Sequence, residues 1–129
     1  MFNMAFQKRW FNILLLILIT IEIWYISSIP SPSMASTGIS IIPVFYHFIV
    51  FFLFSFFLHI SLNQKKKITP TILILTIFIC IIYAIIDEVH QIITPGRHCG
   101  IIDILTNSAG IFLGSIFAII INKKQKTIS

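Results

Sequence analysis

Four long apolar stretches dominate this chain: about Trp10 to Ile29, Pro43 to Leu62, Ile68 to Ile93 and Ile101 to Ile121. About 20 apolar residues coiled as a helix cover the roughly 30 Å hydrocarbon core of a bilayer, so each stretch is long enough to cross one. In lipid, backbone polar groups are satisfied only by helices or by closed β-barrels. Barrel strands alternate polar and apolar residues over roughly ten positions. Runs such as Ile13 to Ile19 and Ile72 to Ile82 do not alternate. The expected fold is therefore an all-α integral membrane protein, a four-transmembrane-helix bundle forming a single domain over residues 1–129. The first run is too long for a typical cleaved leader and is expected to remain as a span.

Charge supports this reading. Only 10% of the 129 residues are charged, against roughly 25% in soluble domains. Net charge is +5, yet nucleic-acid binding is excluded as a first reading, because the bases sit in short clusters between apolar runs rather than on a polar surface. Lys8 and Arg9 precede the first span, Lys65 to Lys67 join the second to the third, and Lys123, Lys124 and Lys126 follow the fourth. Arg97 alone falls on the opposite side. By the positive-inside rule both termini are expected in the cytoplasm of a multi-pass bacterial cell-membrane protein. The outer connections are then a Ser/Pro-rich stretch from Pro30 to Ile42 and the turn-like segment from Thr94 to Gly100. Cys80 and Cys99 are expected to be free, since they lie roughly 20 Å apart in depth.

Acidic residues number four: Glu22, Asp87, Glu88 and Asp103. Ionisable groups inside a membrane cost several kcal/mol, about 3 kcal/mol or more, and so mark candidate sites. At 1.5 Å rise per residue, Glu22, Asp87 and Glu88 lie about 10 Å below the outer face, Asn107 about 9 Å, His47 and His90 about 6 Å, and Asp103 about 3 Å. The inner half holds only His59 among ionisable residues and is otherwise read as apolar. Helical spacing gathers Asp87, His90 and Gln91 on one turn, and sets Asp103 and Asn107 on a stripe that continues into Gly110 and Gly114. Such a GxxxG pair permits close helix approach and turns the polar residues inward.

Four carboxylates face one obligate cation, Arg97, together with His47, His90 and His98. Full pairing requires charged histidines, protonated carboxyls, a metal ion or a cationic ligand. Asp87, Glu88, His90 and Asp103 are the candidates for acid–base chemistry; Glu22, His47, Gln91, Arg97 and Asn107 are the candidates for binding. A divalent metal is open to such a set, but Glu88-x-His90 is not HExxH and no spacing specifies zinc. Ser27 and Ser28 are nucleophile candidates by position alone; helix-end capping is the simpler role.

The segments Asp87-Glu88-Val89-His90-Gln91, Pro95-Gly96-Arg97 and Asp103, Asn107, Gly110 resemble the D-E-x-x-Q, P-G-R and D-x-x-x-N-x-x-G signature of the VanZ-like membrane proteins. Ser27-Ser28-x-Pro30 and His47 resemble the same family, and the likeness spans most of the chain. One departure is that an acidic-basic pair before the second-helix histidine and a tyrosine four residues after it are replaced here by Pro43, Val44 and Phe51. The resemblance implies an integral cell-envelope protein associated, in some relatives, with resistance to the glycopeptide teicoplanin; it supplies no reaction. The expected partners are the bilayer and an envelope lipid or cell-wall precursor head group. The alternatives are a non-catalytic binding protein and a structural module whose polar layer holds the helices together.

Overall fold

The computed structural model describes residues 8–30, 41–63, 69–97 and 99–128, with side chains to residue 124 in the last segment. Lys65 to Lys67, His98 and most of the Ser/Pro-rich connection lie outside these residues. The described chain is all-helical: α1 (Arg9–Ser28), α2 (Ile41–Leu62), α3 (Pro70–Ile93) and α4 (Ile101–Ile128). Each is long and apolar enough to cross a membrane.

Prolines set several boundaries. Ile29 and Thr94 adopt extended backbone after α1 and α3, because each precedes a proline whose ring disfavours helical geometry in the residue before it. Pro70 opens α3 and Pro43 lies in the first turn of α2, where a missing N–H costs no helical bond. Helix α4 runs past the expected Ile121 to Ile128. Its Lys- and Gln-rich tail contains good helix formers and no breaker, so the helix continues beyond its apolar stretch.

Helix α2 is the centre of the bundle and touches the other three, most extensively α4. Two glycines explain that closeness. A Cβ on Gly110 would lie 2.5 Å from the Phe48 carbonyl oxygen, and one on Gly114 would collide with the Phe52 carbonyl oxygen and the Ser55 hydroxyl. Backbone therefore meets backbone, as small residues permit in lipid, where burial of apolar surface does not drive helix association. On the opposite side, Phe54 stacks on Tyr83 of α3 with ring centroids 4.9 Å apart. The Tyr83 hydroxyl donates to the Thr20 carbonyl of α1 at 2.9 Å, tying α1 to α3.

Candidate functional site

At the end of the bundle bearing the Thr94–Gly100 turn, two hydrogen-bond chains meet. In the first, Asn107 of α4 donates from Nδ2 to Glu88 Oε1 at 2.9 Å. Its Oδ1 lies 3.0 Å from His47 Nδ1. An amide oxygen only accepts, so Nδ1 carries the proton and the imidazole's remaining lone pair belongs to Nε2. In the second chain, Gln91 Nε2 donates to Asp87 Oδ2 at 2.9 Å and to Ser27 Oγ at 3.2 Å. This links the successive acids of α3 to different helices: Glu88 to α4 and α2, Asp87 to α1.

His47, Asp87 and Glu88 each bring one ligand-capable atom into a set lying within 4.8 Å of one another. All three are nearly inaccessible, at 4%, 0% and 4% exposure. Asp87 Oδ1 and Glu88 Oε2 are buried without a hydrogen-bond partner among the described residues. Tyr46, which sequence reasoning missed, also has a buried hydroxyl without a partner among the described residues. Its adjacency to His47 was the available signal.

Other candidates are engaged at helix ends. Arg97 Nη2 donates to the Ile26 carbonyl and its Nε to the Ile29 carbonyl at 3.1 Å. It caps the negative end of α1, a placement the helix dipole favours. The turn that delivers it follows from its residues: Arg97 N donates to the Thr94 carbonyl, with Pro95 between them and Gly96 at φ 76°, the geometry of a type II turn. Asp103 Oδ2 accepts from the Gly100 N–H at 3.2 Å. As the third residue of α4 it supplies the returning arm of a capping box. His90 packs on Trp24 with centroids 4.0 Å apart, and its Nε2 lies 3.4 Å from Ser28 Oγ. Ser28 itself donates to the Trp24 carbonyl. Glu22 is exposed on α1, whose buried positions are Asn12, Ile19, Ile23 and Ser27.

Between α3 and α4 lies a cavity of about 230 Å³, with walls that include Ile85, Val89, Ile104 and Ile111 and polar positions at Glu88, Asn107, Ser108 and Cys99. Ile85, Val89 and Ile104 are exposed, so the cavity opens on the lipid-facing surface. Glu88 belongs both to this groove and to the cluster with His47 and Asp87. Cys80 and Cys99 are free, the former buried and the latter exposed. Interaction with the Glu88 carboxylate, reinforced by partial burial, holds the Cys99 thiol above its ordinary pKa.

The opposite half is less apolar inside than its hydropathy implies. Asn12, His59, Asn63, Thr76 and Ser115 are buried there, from all four helices or their ends. Thr76 Oγ1 donates to the Ile72 carbonyl and so accepts the His59 Nδ1 proton at 3.2 Å. Neutral polar residues are not visible in an apolar run by charge alone.

Comparison with known proteins completes the description. No curated protein and no solved structure matches the chain. A family model described as VanZ/LLP1 does match, over residues 2–122. With nearly the whole chain covered and four helices able to span a bilayer, this multi-pass membrane protein belongs to the VanZ/LLP1 family.

Proposed function

We propose that this chain is a bacterial cell-membrane protein that binds the head group of an envelope lipid or lipid-linked cell-wall precursor at Glu88, Asp87, His47 and Asn107. One observation carries the reading: the apolar groove between α3 and α4 has Glu88 and Asn107 among its few polar positions. A hydrocarbon chain fits isoleucine walls open to the bilayer, and a polar group on that chain meets hydrogen-bonding residues at the groove's floor. Binding of this kind would shield or modify a glycopeptide target, which is how the teicoplanin association implied by the family would apply here.

The test uses the full chain in nanodiscs with a photoreactive lipid whose head group carries an amine, phosphatidylethanolamine. Labelling should fall at least fivefold in Glu88→Gln and in Ala84→Phe, which fills the groove without altering charge. Equal labelling of the wild type and both variants would sink the reading.

A structural role is the second reading, favoured by the use of Arg97 and Asp103 as helix caps. It predicts that Glu88→Gln lowers thermal stability in step with any loss of resistance. Loss of labelling at unchanged stability separates the two.

A further inference from the structure

We propose that His47, Asp87 and Glu88 hold one divalent transition-metal ion, of the Mn²⁺ or Zn²⁺ type. The three residues come from α2 and α3, and their ligand-capable atoms already lie within 4.8 Å of one another. An ion bound at about 2.1 Å by nitrogen and oxygen ligands separates neighbouring ligands by about 3.4 Å in a tetrahedron.

The hydrogen bonds around the cluster are what single it out from a mere gathering of acids. Each residue has one ligand-capable position engaged and another left over. His47 commits its Nδ1 proton to Asn107 Oδ1, leaving the Nε2 lone pair. Asp87 commits Oδ2 to Gln91 and leaves Oδ1; Glu88 commits Oε1 to Asn107 and leaves Oε2. A metal-binding histidine characteristically donates its other ring proton to an oxygen, which fixes the ring and its tautomer, and ligating carboxylates are likewise held by hydrogen bonds. Asn107 performs both tasks at once.

Charge points the same way. Two adjacent carboxylates in side chains at least nine-tenths buried call for a positive charge. Arg97 is engaged by the carbonyls at the end of α1, and among the described residues no lysine or arginine is buried. A dication balances both acids. The imidazole favours a transition ion over Mg²⁺ or Ca²⁺, whose preferred shells are all oxygen. Three protein ligands leave a coordination position open, and one of the three, Glu88, also lines the groove.

The inference shares its residues with the lipid-binding reading but does not rest on it. The probe is the metal alone, so lipid labelling equal in the wild type, Glu88→Gln and Ala84→Phe, with the ion still bound by the wild type, would break that reading and leave this one standing. Full-length protein, purified in detergent and stripped with chelator, is titrated with Mn²⁺ and followed by electron paramagnetic resonance, with bound metal counted by elemental analysis. The expected result is one ion per chain and a ¹⁴N coupling from one imidazole. Asp87→Asn and Glu88→Gln should each weaken binding at least tenfold. His47→Gln should abolish the nitrogen coupling while His90→Gln leaves it. The acid controls Glu22→Gln and Asp103→Asn should retain one ion.

Binding that the two control substitutions weaken as much as Asp87→Asn does would overturn the proposal. So would failure of the wild type to bind either Mn²⁺ or Zn²⁺. If the variants do not fold, the wild-type spectrum decides: an all-oxygen Mn²⁺ signal refutes the site, and a nitrogen-coupled signal at one ion per chain supports it.

Discussion

Two buried histidines on α2, about 18 Å apart along the helix, make the same bond in different company. His59 gives its Nδ1 proton to Thr76, and His47 gives its Nδ1 proton to Asn107. His59 bonds to neutral Thr76, and the other buried polar side chains of that half named above, Asn12, Asn63 and Ser115, are neutral too. Around His47 stand two carboxylates, each with an oxygen left over. The difference is one of charge: the first layer is neutral, and the second carries two acids side by side. Buried groups left over in the neutral layer, such as His59 Nε2 and Ser115 Oγ among the described residues, cost desolvation alone, whereas a doubly acidic layer calls for a counter-charge.

The strongest way to break this comparison is to remove the scaffold common to both layers. Gly114→Leu would drive a side chain into the α2 backbone, at a cost of about 3 kcal/mol or more. Thermal unfolding and size-exclusion chromatography in detergent should show loss of the monodisperse protein and of both layers together. A variant that stayed folded and kept lipid labelling would show that close α2–α4 contact is unnecessary.

A smaller and more discriminating effect comes from cutting one bond in each layer. Asn107→Leu strands His47 Nδ1 and Glu88 Oε1 and should cost about 3 kcal/mol, while Thr76→Val strands only His59 and should cost about 1 kcal/mol. Stability measured by denaturation should follow that order. Lipid photolabelling should be lost in the first variant and intact in the second; equal loss in both would erase the distinction between layers.

The smallest effect is a local reading of charge. Glu88 raises the Cys99 thiol above its ordinary pKa, so the thiolate should form only at higher pH than in a free cysteine. Alkylation of exposed Cys99, followed against pH by mass spectrometry, should show a midpoint that moves down in Glu88→Gln. An unmoved midpoint would mean that Glu88 does not act on the turn.

How much of this was legible beforehand differs by residue. The four spans followed from hydrocarbon thickness, and depth arithmetic placed His47, Asp87, Glu88 and Asn107 at one level. Depth does not give azimuth. Glu22 lies at the same level but beside Ile23 on α1, and Ile23 is the residue that faces in. When every face of a helix is apolar, little in the pattern says which one is buried. Asp103 was read as a site residue from depth and charge and Arg97 from its charge in the outer turn; neither signal showed that both bond to backbone groups at the ends of α4 and α1. Neutral Asn12, Thr76 and Ser115 passed as parts of apolar runs, since a single amide or hydroxyl barely alters the hydrophobicity of a span.

The glycine pair on α4 has an effect at a distance from the atoms it touches. Because Gly110 and Gly114 draw α4 against α2, and α4 meets α3 far less extensively, the seam between α3 and α4 is left unfilled along isoleucine and valine. The residues that glue one helix pair thereby set the aperture of the neighbouring pair. The spacing of α3 from α4 is thus decided on the far face of α4, by two residues that line no part of the groove.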